Sequence, residues 1–241
     1  MAADPEMGWP AMGRAFNNKW RTSPKPVTAD YTGKTVIVTG ATSGIGEQAT
    51  YQFAALGASK VIMTARDLKK GEAVKAALET KLHRTGQLEV WELDMMDYDS
   101  IRSFATRTNE LDDLDIVILN AGIRRTTYNP SSYGWEEDLQ VNTLSTTLLA
   151  LLLLPTLKQM KKRTGRTPVL EFVNSGLHQN AIVDPEVRQE GDVLAHYNKK
   201  EHFGEGSQYK FSKVFVMYAA RVLADKISSE DVIITSICPG S

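Results

Sequence analysis

The stretch Thr35-Val36-Ile37-Val38-Thr39-Gly40-Ala41-Thr42-Ser43-Gly44-Ile45-Gly46 decides how the rest of the chain is read. Its first four residues are β-favouring and too few for a helix, so they predict a strand. A helical pattern follows from Ile45 to Leu56 and is stopped by Gly57. Strand, glycine turn and helix N-terminus in that order build a phosphate site. Gly40 and Gly44 allow backbone N–H groups to approach a pyrophosphate, and Gly46 lets the helix lie close to the strand. Glycines alone are weak evidence; the order of the elements carries the reading.

Outward from this turn, short apolar runs alternate with longer stretches of helical pattern. Strands are predicted at Lys60–Met63, Leu88–Leu93, Asp115–Leu119, Val169–Asn174 and Val232–Ile237. Helices are predicted at Asp67–Leu82 (ended near Gly86), Ser100–Glu110, Trp135–Lys162 and Gln208–Ile227. The alternation implies an α/β fold, a Rossmann-like doubly wound parallel sheet with helices on both faces. At 241 residues and 42% hydrophobic content the chain suits one such domain, residues 30–241, preceded by an aperiodic arm over residues 1–29. The most apolar run, Leu148 to Leu154, is closed by Pro155 and falls short of the ~20 residues that cross a bilayer, so no membrane span is expected.

The formal net charge is -1 with both signs interspersed, which argues against a nucleic-acid partner. Cys238 stands alone, cannot form an internal disulfide, and reads as inert packing in an apolar stretch. Met1 to Lys25 lacks the apolar core of a secretory signal, so a cytoplasmic location is the default expectation. His83, His178, His196 and His202 lack metal-ligand spacing, so no metal is expected. His178 reads as a solvated loop residue.

The spacing of Thr39 to Gly46, TGxxxGxG, resembles that of the short-chain dehydrogenase/reductase family. Ser43 stands where the related extended enzymes usually carry their second glycine. The resemblance implies a nicotinamide dinucleotide bound along Gly40, Ser43, Gly44, Ile45 and Gly46. Family members that prefer NAD usually end the second strand with an acid that repels a 2′-phosphate. Here Ala65 takes that place and Arg66 follows, whose planar charged fork suits the phosphate of NADP(H). Asp67, one position on, would restore an acid if the register slipped. Asp94 matches the residue that bonds the adenine, and Asn120-Ala121-Gly122 matches the NAG motif after the fourth strand.

Tyr209-Lys210-Phe211-Ser212-Lys213 matches the family's YxxxK, and at i,i+4 the two side chains share one helix face. A phenol is a poor proton-transfer group at neutrality, and an ammonium held beside it favours the phenolate. The resemblance implies that Tyr209 exchanges a proton with the substrate oxygen and that Ser175 hydrogen-bonds that oxygen. It also implies that Lys213 bonds the nicotinamide ribose and that Asn142 holds a water in a relay with Lys213. Asn174 departs from the pattern, since many relatives carry a second serine there.

The charged insert between His178 and Ser207, together with the N-terminal arm, is similar to the retinol-dehydrogenase-like branch and to fungal members attached to secondary-metabolite pathways. The expected function is NADP(H)-dependent interconversion of a ketone and a secondary alcohol on a lipophilic small molecule, in secondary-metabolite biosynthesis. The sequence ends at Ser241, just after Pro239-Gly240, where relatives continue. A last strand and a substrate-covering lobe are therefore expected to be missing. That leaves a second reading open, a catalytically weak NADP(H)-binding scaffold or regulator. The Trp135–Lys162 helix matches the one that often pairs in family dimers and tetramers, which leaves a homo-oligomer open too.

Overall fold

A computed structural model describes residues 27–183, 187 and 191–240, so most of the expected N-terminal arm lies outside the described residues. Each apolar run becomes a strand: β1 (Thr35–Val38), β2 (Lys60–Ala65), β3 (Leu88–Glu92), β4 (Ile116–Leu119), β5 (Val169–Val173) and β6 (Ile233–Ile237). All neighbours pair in parallel, in the order β3-β2-β1-β4-β5-β6. The winding reverses between β1 and β4, and a doubly wound sheet opens a crevice at the carboxyl ends of the strands there.

The helices are α1 (Gly44–Ala55), α2 (Leu68–Leu82), α3 (Tyr98–Arg107), α4 (Thr146–Thr164), the short α5 (Val193–Tyr197) and α6 (Ser207–Lys226). Val36, Val38, Val61 and Met63 form one core layer with Ala54 and Leu78. Ile37, Ile62, Val117 and Phe172 point the other way and meet Ile101, Leu149, Leu153 and Val216. Because successive side chains face opposite layers and both layers are covered, the strands read as unbroken apolar runs.

One helix stop differs from expectation. Asp67 caps α2, accepting from the N–H groups of Lys69 (2.8 Å) and Lys70 (3.2 Å), and the helix ends at His83 in a left-handed turn (φ 49°) rather than near Gly86. Pro155 does not end the helix, in keeping with the predicted Trp135–Lys162 span. It lies inside α4, which continues to Thr164 and ends on Gly165 at φ 72°. Proline costs the helix its own N–H bond, and Pro155 is exposed, so water can satisfy the freed carbonyl. On the far side Leu149, Leu153 and Leu157 are sealed against the sheet, whereas Leu151 is 48% exposed. The unbroken helical stretch Leu139–Thr164 has the length and apolarity of a membrane span, but 67% of its apolar window is buried inside the protein, which makes it a core helix.

At the amino ends of the strands Asp115 gathers three donors: the Thr35 N–H (3.0 Å), the Lys34 ammonium (3.2 Å) and the Arg166 Nε (2.5 Å). Burial pushes its carboxyl up, but Arg166, Thr35 and Lys34 outweigh that and hold it below the usual range. Among its described residues the insert between Ser175 and Ser207 contains α5 and two single 3-10 turns, Gly176–Asn180 and Lys200–His202. It is pinned by Tyr197, which stacks on Phe211 of α6 at 3.9 Å between centroids. β6 forms one edge of the sheet, with Ile233 and Ile237 exposed.

Candidate active site

The glycine turn has the backbone that its sequence demands. Gly40 and Gly44 adopt φ values of 65° and 58°, in the left-handed region that side chains resist. A Cβ on Gly46 would lie 2.3 Å from the Gly40 carbonyl oxygen, and one on Gly40 would lie 2.9 Å from the Ala121 Cα. The turn therefore tucks directly under the exit of β4. Asn120 holds it there: its Nδ2 donates to the carbonyls of Thr39 (2.9 Å) and Gly40 (3.3 Å). Thr39 Oγ1 accepts from the Asn120 and Ala121 N–H groups at 2.9 Å each. The Asn120 side chain is thus committed to the turn itself.

Above this turn opens a cleft of about 370 Å³, lined by Gly40, Ser43, Ile45, Arg66, Asp94, Asn120, Ala121 and Gly122 among the expected residues. Gly44 and Gly46 shape it without lining it. Lys70 and Arg125 line it as well, and sequence reasoning passed over both. Lys70 stands four positions after Arg66, a spacing that could have flagged it. Asp67 is turned into its capping role, so the end of β2 offers two cations. Asp94 Oδ1 accepts from the Met96 N–H at 2.8 Å.

A second cavity, also about 370 Å³, shares Ile45, Asn120, Gly122 and Ile123 with the first and contains Ser175, Tyr209 and Lys213. Lys213 is 5% exposed, lies 5.8 Å from the Tyr209 ring centroid and donates to the Val173 carbonyl at 3.0 Å. Burial pushes its ammonium down to about 8, with the Asp138 charge acting against the fall. Ser175 Oγ accepts from the Leu177 N–H at 3.3 Å, which leaves its own hydrogen to donate. Asn174 Oδ1 accepts from the Ser175 N–H at 2.8 Å, while its Nδ2 is buried without a partner among the described residues. His178 is not a free loop residue, because its Nδ1 lies 2.5 Å from the Ser175 carbonyl oxygen. Cys238 is exposed rather than packed, and its sulfur accepts from the Gly176 N–H at 2.9 Å.

Asn142 sits in a π-helical turn, Leu139–Ser145, that leads into α4. Its Oδ1 accepts from the Ile123 N–H at 2.8 Å, and its Nδ2 donates to the Ile123 carbonyl (2.8 Å) and to Ser212 Oγ (3.0 Å). One turn earlier, the fully buried Asp138 accepts from the Arg125 N–H at 2.9 Å. The two side chains clamp the extended segment 123–125, which walls both cavities. Burial raises the Asp138 carboxyl to about 7, reinforced by Glu136 and opposed by the Arg125 N–H. Glu136, also fully buried, accepts from the Leu139 N–H (3.2 Å) and from Gln208 Nε2 (2.9 Å). Gln208 immediately precedes Tyr209, so Glu136 ties the start of α6 to the Asn142 turn. Gly122 completes the junction: a Cβ there would lie 3.1 Å from Asn142 Oδ1 and 3.5 Å from Lys213 Nζ.

These features define a nucleotide-type cleft joined to a Ser, Tyr and Lys cavity, and comparison with known proteins agrees. Residues 34–169 match the family model for short chain dehydrogenases, and the chain belongs to that family. Three similar curated relatives are fungal. The short-chain dehydrogenase/reductase phmF of Phaeosphaeria nodorum is 38% identical over 90% of this chain and 64% of its own length. The short chain dehydrogenase virL of Hypocrea virens is 39% identical over 92% of this chain and 65% of its own. The short chain dehydrogenase sol3 of Alternaria solani is 36% identical over 90% and 75%. The chain thus spans about two thirds of the length of these relatives. Among solved structures, a short-chain dehydrogenase from Sphingobium yanoikuyae in complex with NADPH shares the fold with a TM-score of 0.63, at 22% identity over 85% of this chain and 70% of that one. A metagenomic short-chain oxidoreductase in complex with NADP gives 0.66, at 23% identity over 88% and 85%.

Proposed function

We propose that the protein is an NADP(H)-dependent oxidoreductase that interconverts a ketone and a secondary alcohol on a lipophilic small molecule of secondary metabolism. The observation that carries this reading is the continuity of two cavities through Ile45, Asn120, Gly122 and Ile123. One has a glycine turn suited to a pyrophosphate; the other holds the Ser175, Tyr209 and Lys213 side chains. The crowding at Gly46 and Gly40, where any Cβ would collide, supports a dinucleotide seat built on bare backbone.

A nicotinamide dinucleotide, when bound, gives or takes up the hydride. The chain supplies the rest. Ser175 donates to the substrate oxygen and fixes its place. Tyr209 gives that oxygen a proton during reduction and takes it back during oxidation. Lys213, anchored on the Val173 carbonyl, balances the charge left on the phenol oxygen and holds the ribose. Asn142 and Asp138 keep the 123–125 wall in position, and the relay role expected of Asn142 belongs to this proposal.

Arg66 and Lys70 at the end of β2 support a preference for the 2′-phosphate, and the capping of α2 by Asp67 keeps that acid out of the cleft. NADPH is expected to bind at least about tenfold more tightly than NADH, and Arg66→Ala to erase most of the difference. Fluorescence titration measures both, and tighter NADH binding would overturn the cofactor assignment. Tyr209→Phe is expected to cut turnover about 10²- to 10⁴-fold while NADPH affinity holds, since only the transferable proton is lost. Near-normal turnover of a ketone by that variant would sink the mechanism.

A further inference from the structure

The catalytic cavity holds a charged side chain that the mechanism does not use. Arg124 lines it together with Asn174, Ser175, Tyr209 and Lys213. Its guanidinium carbon stands 5.9 Å from the Tyr209 ring centroid. Its other flank rests on Gly206, the residue that starts α6. A Cβ there would lie 3.0 Å from Arg124 Nη2, and Gly206 has φ 75°. The backbone on both sides of Arg124 is fixed, by Asn142 at Ile123 and by Asp138 at Arg125. The side chain therefore starts from an anchored base, not from a loose loop.

Its charge is unanswered by protein. Among the described residues no Asp or Glu lines this cavity and none forms an ion pair with Arg124. Arg125 offers the contrast, since its guanidinium is paired with Glu137. A second, independent observation points the same way. Asn174 is 5% exposed, its Oδ1 is fixed by the Ser175 N–H, and its Nδ2 is left as an unpartnered donor beside the same cavity. Ser175, Tyr209 and Lys213 add further donors. Arg124 is exposed, and a neutral ketone, with one acceptor oxygen, would offer its guanidinium no counter-charge.

We propose that Arg124 is a specificity-determining residue that selects ketones carrying an ionised oxygen, a carboxylate or an enolate, close to the reacting carbonyl. The inference rests on the oxidoreductase reading above and narrows its substrate class. The planar fork of Arg124 receives the anionic oxygen, and the carbonyl is left to Ser175 and Tyr209.

The test compares a matched pair, 4-oxodecanoate and its methyl ester, on the full chain with NADPH. The acid is expected to be reduced with a kcat/KM about 10- to 100-fold above that of the ester. Arg124→Ala should remove the preference, Arg124→Lys retain part of it, and Arg124→Glu favour the ester, all with NADPH affinity unchanged. Calorimetry of the two compounds on NADP-loaded protein gives the same ranking without turnover. Equal or better use of the ester by the wild-type chain, or an acid preference that survives Arg124→Ala, overturns the inference and leaves the oxidoreductase reading standing. Tight, Arg124-dependent binding of the acid with no reduction of either ketone would do the reverse. Binding of neither compound counts against the inference.

Discussion

Asp138 shows how much of this site depends on residues without a motif. Its carboxyl faces Glu136 and Glu137 on its own segment, Arg125 across the wall and Lys213 on α6. In the folded protein it keeps its proton to about 7, against an ordinary 3.8. A raised acid favours folding below its unfolded value, and that contribution disappears as pH rises through the folded one. The unfolding free energy should therefore fall between pH ~4 and ~7, and Asp138→Asn should flatten that fall in denaturant titrations. The same variant removes the negative charge that supports the Lys213 ammonium. The alkaline limb of NADPH-linked turnover should then move to lower pH; an unmoved limb would show that the two groups do not communicate. Nothing local in the sequence marks Asp138, Glu136 or Gln208, because their partners lie across the fold: Glu136 meets Gln208 at a separation of 72 residues. Gly40, Gly46, Tyr209 and Lys213 were legible because each obeys a rule of turn geometry or helix spacing that operates within a few residues.

At the level of elements, strands were the easier reading. β1 matches its predicted bounds, and the others differ by a residue or two at the ends. α4 passes through Pro155, as the predicted Trp135–Lys162 helix does, although the lost hydrogen bond and the ring clash oppose it. Leu149 and Leu153 before the proline and Leu157 and Met160 after it are all buried, so breaking the helix would disrupt one continuous packed face. Proline inside a helix still carries a penalty of about 3 kcal/mol relative to alanine. Pro155→Ala, on the exposed face, should recover about 1–3 kcal/mol, visible as a raised Tm. A lowered Tm would mean that the proline ring itself is needed for packing. The insert before α6 was readable as a charged segment, but not its anchoring, which depends on Tyr197 meeting Phe211.

Across the whole molecule the sheet separates two tasks by its ends. The carboxyl ends carry both cavities, and the amino ends carry the Asp115 cluster, which bonds β1 and β4 to the Arg166 that leads into β5. Asp115→Asn should lower stability by about 2 kcal/mol at neutral pH without altering NADPH affinity, since charge-assisted bonds are lost far from the cleft. A depressed acid stabilises above its unfolded value, so the deficit should shrink as pH falls through the carboxylate range; a deficit constant with pH would assign the loss to packing.

The clamp on segment 123–125 has a dynamic meaning as well. Surface loops usually give up conformational freedom when a ligand arrives, and that entropy is subtracted from affinity. Here the amides of Ile123 and Arg125 are already held by Asn142 and Asp138. They should resist deuterium exchange in the free protein, and a ligand would meet a wall with little left to freeze.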